Sequence, residues 1–293
     1  MAAVGRRYSP TVATGRGAVV VTGASTGIGF ATARHLDSLG FTVFAGIRRA
    51  EDGERLASGA SRRLRPLRID VTDEASVAAA AEEVERESPD GVAGLVNNAG
   101  QSFPGPIEFQ PLEDFRRQIE VNLIGQVAVI QRLLGQIRKG GGRIVNISSV
   151  GGRVTNPFLG AYAASKYGLE AVSDALRLEL RPWGIWVALI EPGSIRTEIW
   201  RKGRETSTRA LEKLPPEGHD LYGERMRAAL AAAERLERLA IPPEKVAKLV
   251  EHALTAARPK ARYVIGRDAW PLLAIDKLPE RTADAAKARL AGI

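Results

Sequence analysis

Short apolar runs alternate with helix-period stretches along the first two hundred residues, and no other feature narrows the fold of this chain so far. Residues 18–22, 41–46, 64–70, 94–100, 142–149 and 185–193 read as six strands. They are near-continuously apolar rather than alternating, as expected of strands buried on both faces of a parallel sheet. Between them, residues 29–39, 74–87, 112–138 and 161–181 carry the helical period. A further helix at 243–255 precedes a seventh strand at 262–266. Strand and helix in strict succession predict the α/β class: one Rossmann-type, doubly wound parallel sheet of about seven strands, with helices on both faces.

The alternation breaks between residues 198 and 240, which are charged, loop-like and then helical, with a turn at Pro215-Pro216-Glu217-Gly218. An insertion of this length between the last two strands predicts a substrate lid. The expected organisation is a flexible segment at 1–16, a single domain over 17–267 that includes the lid, and a C-terminal extension at 268–293. The extension has one short helix-forming stretch and no evident place in the sheet.

Composition removes several classes of chemistry. There is no cysteine, so disulfides, thiolate nucleophiles and zinc–thiolate sites are excluded. His35, His219 and His252 are scattered without ligand spacing, and no metal is expected. Lys and Arg number 42 against 34 Asp and Glu, a formal charge of +8. The basic residues are spread over several segments, with no run of interleaved arginines and aromatics, which argues against nucleic acid as a partner. The apolar runs fall far below the roughly 20 residues that span a bilayer, and the first residues contain no apolar stretch of the secretory kind. A cytoplasmic protein without a stable membrane anchor is expected.

Two segments carry the chemistry. Thr22-Gly-Ala-Ser-Thr-Gly-Ile-Gly29 follows the first strand and opens the first helix. Its glycines, Gly23, Gly27 and Gly29, permit a tight turn and close backbone approach, and the helix N-terminus then faces a pyrophosphate. After the second strand an acid would bond a ribose 2′-hydroxyl, whereas arginine suits a 2′-phosphate. Arg48 and Arg49 stand there, so NADP(H) is the expected cofactor, with NAD(H) as the alternative. The second segment begins at the end of the fifth strand with Ser148 and Ser149, followed by Ala161-Tyr-Ala-Ala-Ser-Lys166. Tyr162 and Lys166, four residues apart, share one helix face. An ammonium beside a phenol favours the phenolate, so the tyrosine is expected to exchange protons near neutral pH. A nearby serine hydroxyl can bond a substrate oxygen as charge develops on it.

With these motifs in order, the chain resembles the short-chain dehydrogenase/reductase family along roughly residues 17–278. The resemblance also rests on Asp70-Val71, Asn97-Asn-Ala-Gly100, Asn122 and Glu191-Pro-Gly-Ser-Ile-Arg-Thr197. It implies that Ser149, thirteen residues before the tyrosine, is the catalytic serine, Tyr162 the general acid/base, and Lys166 the group that lowers its pKa and holds the nicotinamide ribose. Asn122 would support a proton relay. Implied cofactor contacts are Gly23, Ser25, Thr26, Gly27, Ile28, Gly29, Arg48, Arg49, Asp70, Val71, Asn97, Ala99, Gly100, Tyr162, Lys166, Pro192, Gly193, Ile195 and Thr197. Residues 165–180 and 251–269 look most like the branch containing retinol, hydroxysteroid and 3-hydroxybutyrate dehydrogenases. That likeness implies hydride transfer to or from the carbonyl or secondary alcohol of an apolar steroid-, retinoid- or lipid-like molecule. Phe103, Phe158, Leu159, Trp200, Tyr222 and Met226 flank the motifs or fall in the lid, which suits such a substrate. The alternatives are a 3-oxoacyl-thioester reductase and a non-catalytic cofactor-sensing protein. The family usually pairs through its long helices, here residues 112–138 and 161–181, so a homodimer or homotetramer is implied.

Overall fold

Ala18–Val21 forms β1, an interior strand of a seven-stranded, wholly parallel sheet in a computed structural model that describes residues 17–293. The segment expected at 1–16 lies outside the described residues. The other strands are β2 (Thr42–Ile47), β3 (Leu64–Arg68), β4 (Val92–Asn97), β5 (Arg143–Ile147), β6 (Val187–Pro192) and β7 (Arg262–Ile265). Their order is β3-β2-β1-β4-β5-β6-β7, so the winding reverses between β1 and β4. A crevice opens at such a reversal, beyond the carboxyl ends of the strands.

The sequence pattern has a direct physical cause. Val19 and Val21 face one apolar cluster, with Leu36, Val43 and Val250. Val20 faces the opposite one, with Phe44, Leu95, Val129 and Ile144. Both faces are dry, so neither can be polar. On the first face α1 (Gly27–Ser38) packs against α9 (Glu244–Thr255), and on the second lie α3 (Glu74–Glu87) and α5 (Gly125–Lys139). Each such buried side chain contributes roughly 1.5–3 kcal/mol of transfer free energy.

β3 departs from the expected pattern. Arg65, Pro66 and Arg68 are exposed, because β3 is the sheet edge and only Leu64 and Leu67 turn inward. A short helix, α2 (Ala50–Ala57), precedes it and was not expected. The single helix expected at 112–138 is instead α4 (Leu112–Ile119) and α5, joined by a π-helical turn over Glu120–Ile124. Such turns recur where a side chain must be re-aimed, and Asn122 lies in this one. α6 (Gly160–Glu179) carries Tyr162 and Lys166. The segment expected to form a lid is two helices, α7 (Glu198–Glu212) and α8 (Pro216–Arg238), rather than a loop followed by a helix. Its base is closed by an isolated parallel bridge between Ile195 and Ile241. The C-terminal extension likewise holds two helices, α10 (Ala269–Ile275) and α11 (Glu280–Ala291), where one was expected.

Candidate active site

The glycine loop after β1 is built for close approach. Gly23 and Gly27 take φ of +63° and +58°, which side chains disfavour. A Cβ on Gly29 would sit 2.3 Å from the Gly23 carbonyl oxygen, so helix α1 can start this close to the loop only with glycine there. Thr26 offers no side-chain cap and no acid stands in the first turn, so the first amides of α1 remain unsatisfied at the cleft. Gly23, Ser25, Thr26, Gly27 and Ile28 line a cavity of about 950 Å³ that runs along the carboxyl ends of the strands. This cradle fits a dinucleotide pyrophosphate.

Arg48 lines the same cavity at the end of β2, as do Asp70 and Val71 after β3. Arg49 does not. Its guanidinium pairs with Asp52 at 3.2 Å and is absent from the lining. Asp52 also pairs with Arg55, which donates to the Ser25 carbonyl at 2.8 Å and so braces the glycine loop. Burial works against the Asp70 carboxylate, but bonds from the Thr72 amide and hydroxyl, with Arg48 and Arg117 nearby, hold it below its ordinary value. Arg117, on α4, lines the cavity too and was not anticipated.

Ala99 and Gly100 line the cleft after β4, but Asn97 does not. Asn97 is buried in the core and donates to the Asn146 side chain at 3.0 Å. Strand geometry turns its neighbour outward instead. Asn98 lines the cavity and its amide donates to the carbonyls of Thr22 and Gly23, each at 3.0 Å, tying β4 to the glycine loop. Gly29 also stays out of the lining and serves the turn itself.

Ser149, Tyr162 and Lys166 converge on the floor of the cleft. Ser149 lies two residues beyond β5, where its hydroxyl accepts from the Gly151 amide at 3.0 Å and donates to the Pro192 carbonyl at 3.4 Å. A Cβ on Gly151 would lie 3.3 Å from the Ser149 hydroxyl and 3.1 Å from the Tyr162 ring edge, so the glycine keeps the gap between them. Lys166 is buried and donates to the Ile147 carbonyl at 2.8 Å. Burial draws its pKa down to about 8, with Glu170 acting in the opposite direction. The depressed tyrosine pKa expected from the sequence is not found. Burial pushes the Tyr162 phenol up, and the Ser149 hydroxyl draws it only part of the way back.

Asn122 is fully buried behind these groups and does not reach the cavity. Its amide donates to the Gln101 carbonyl and to the Ser165 hydroxyl, each at 3.0 Å, while its oxygen accepts from the Gln101 amide at 2.9 Å. Pro192, Gly193, Ile195 and Thr197 line the cleft beyond β6, and the Thr197 side chain stands 3.0 Å from where a Gly27 Cβ would be.

Of the apolar residues expected on the substrate side, Phe103, Leu159 and Trp200 line the cavity. Val150, Val154 and Leu272 join them. Phe158 and Tyr222 form an aromatic cluster with Phe109 outside the lining, and Met226, on α8, is buried and likewise does not reach the cavity. Polar side chains occupy the lid side, including Lys202, Glu205 and Arg209.

A doubly wound sheet with a glycine cradle at its reversal point and a Ser–Tyr–Lys cluster in the same cleft defines a fold of the dinucleotide-binding kind. Comparison with known proteins agrees. The family described as short chain dehydrogenase matches residues 17–208. The chain is 38% identical over 252 residues to an NADPH-dependent 3-dehydrocapnine reductase of Ornithobacterium rhinotracheale, covering 84% of this chain and 87% of that protein. It is 40% identical over 274 residues to human retinol dehydrogenase 16, covering 91% and 86% respectively. Among solved structures, a short chain dehydrogenase from Burkholderia cenocepacia in complex with NADP superposes with a TM-score of 0.70 at 26% identity, covering 94% of this chain and 97% of that one. The chain belongs to the short-chain dehydrogenase/reductase family and is an oxidoreductase of the kind that acts on alcohol and ketone groups.

Proposed function

We propose that this protein is an NADP(H)-dependent reductase or dehydrogenase of ketones and secondary alcohols on apolar skeletons, working by tyrosine acid–base catalysis. The observation that carries this reading is the convergence of Ser149, Tyr162 and Lys166 on one cleft floor with Arg48 at its far end. The residues fit the cofactor: Gly23 to Ile28 would cradle the pyrophosphate, Arg48 the adenosine 2′-phosphate, Asp70 and Val71 the adenine, and residues 192–197 the carboxamide. When bound, the nicotinamide supplies or accepts a hydride at the substrate carbon.

The chain's own groups manage the oxygen. In the reducing direction the Ser149 hydroxyl donates to the carbonyl oxygen, and the Tyr162 hydroxyl gives it a proton as the C–H bond forms. The resulting phenolate is stabilised by the Lys166 ammonium, and Lys166 carries the replacement proton from solvent toward the tyrosine. Asn122 holds the backbone of Gln101 beside this path. The apolar wall of Phe103, Val150, Leu159 and Trp200 suits a steroid-, retinoid- or lipid-like body.

Exposed Leu112, Ile124 and Leu178 lie on the helices through which the homo-oligomer would form. No helix among the described residues is long and apolar enough to cross a membrane. A panel of alcohols and ketones followed by nicotinamide absorbance, with the two cofactors in parallel, tests the reading. Turnover of apolar ketones with NADPH supports it, and strict preference for NADH overturns the assignment of Arg48.

A further inference from the structure

The C-terminal extension reaches the cofactor cleft through one side chain. Asp268, the residue before α10, lines the cavity and accepts from the Ser194 amide with both carboxylate oxygens, at 3.0 and 3.1 Å. The Ser194 hydroxyl donates to the same carboxylate at 2.7 Å. Ser194 is only 4% exposed, so these bonds are sheltered from water. It lies within residues 192–197, the stretch proposed above to face the nicotinamide.

The surroundings are shaped to the carboxylate. A Cβ on Gly193 would come within 2.4 Å of the Asp268 Oδ1 atom, and one on Gly266 within 2.9 Å of the same atom. Gly266 has φ of +135°, open to glycine almost alone. The Gly193 amide donates to the Ile265 carbonyl at 2.7 Å, closing the loop onto β7. Immediately beyond Asp268, the buried Ala269 and Leu272 pack on Val150, the residue after Ser149. One short segment therefore touches both the turn that follows the serine and the loop opposite it.

We propose that Asp268 is a positioning residue for the nicotinamide end of the cofactor, acting through Ser194 to fix the loop at residues 193–197. The proposal rests on the cofactor reading above. It assigns the extension a role in the site rather than on the periphery. The carboxylate matches what it meets: the Ser194 amide, which can only donate, reaches both of its oxygens, and the Ser194 hydroxyl turns its proton to one of them. An asparagine would fit the same space between the glycines but carries no charge and offers the Ser194 amide one acceptor oxygen in place of two, and its amino group would oblige the Ser194 hydroxyl to turn and accept.

The test is a fluorescence titration of the full-length wild type, Asp268→Asn and Ser194→Ala with NADPH and, separately, with adenosine 2′,5′-bisphosphate, which lacks the nicotinamide half. In Asp268→Asn we expect NADPH affinity to fall by about tenfold or more, the loss of bonds to a charged acceptor. Affinity for adenosine 2′,5′-bisphosphate should stay within about twofold of wild type, since the adenosine end is untouched. Ser194→Ala, which removes only the hydroxyl bond, should shift NADPH affinity in the same direction by a smaller factor. That variant keeps the test decisive if Asp268→Asn fails to fold. Equal losses for both ligands, or no loss for NADPH, would overturn the proposal. If the wild type bound neither ligand, the cofactor reading itself would fail, an outcome visible before any variant is compared.

Discussion

The Lys166 ammonium stands 5.9 Å from the centre of the Tyr162 ring and donates to the Ile147 carbonyl at 2.8 Å. The lysine is thus anchored to the end of β5, not free to follow the tyrosine. Its charge acts on the phenol from a fixed position, in a site where burial disfavours both charged forms.

A pH dependence follows from that relationship. Burial lowers the Lys166 pKa to about 8, so the ammonium is present below that pH and lost above it. Ketone reduction with saturating cofactor should therefore decline as pH rises through about 8, and a rate that stays flat to about pH 10 would contradict the role given to the lysine. The stability sign is opposite. Between the folded value of about 8 and the ordinary 10.5 the unfolded chain binds more protons, so this group's contribution to stability grows as pH rises through that window.

Gly151 separates the serine from the tyrosine. Gly151→Ala would place a Cβ 3.1 Å from the Tyr162 ring and 3.3 Å from the Ser149 hydroxyl, so one of them must move by a few tenths of an ångström. Turnover should fall by about tenfold or more while stability drops by only about 1–3 kcal/mol, the ordinary cost of overpacking. Steady-state kinetics alongside thermal unfolding would check this. Unchanged turnover would mean that the gap between the two hydroxyl-bearing groups is not used.

The two arginines after β2 should behave differently. Arg48→Ala is expected to weaken NADPH by about tenfold to a hundredfold while leaving NADH nearly unchanged, since a charged bond to the 2′-phosphate is lost. Arg49→Ala should change NADPH affinity by less than about twofold, because Arg49 is engaged with Asp52 at the surface. Isothermal titration of both variants with both cofactors separates the two. Equal losses would show that Arg49 reaches the cofactor after all.

These contrasts also mark what could be read from the chain. The parallel sheet was legible because two dry faces force apolar runs such as Ala18–Val21, and the glycine loop and Tyr162–Lys166 pair are local patterns. Residues whose roles depend on a neighbour distant in sequence were not. Asn97 and Asn98 are adjacent, and only the pleat at the end of β4 decides that the first is buried and the second faces the cleft. Asp268 is 74 residues from Ser194, and nothing in the sequence around either residue shows that they meet. The π-helical turn at Asn122 lies inside an otherwise regular helical period. The surroundings of the phenol are of the same kind: helical spacing places a cation near Tyr162 but gives no measure of how deeply the ring is enclosed, and burial pushes its pKa up.

The most direct test of the account is the turnover of Tyr162→Phe on an apolar ketone that the wild type reduces, with NADPH binding measured on the same preparation. Removing one hydroxyl should lower turnover by about a hundredfold to ten-thousandfold, the usual worth of a positioned general acid, with NADPH affinity within about twofold of wild type. Turnover close to that of the wild type, with cofactor bound normally, would contradict the proposed chemistry.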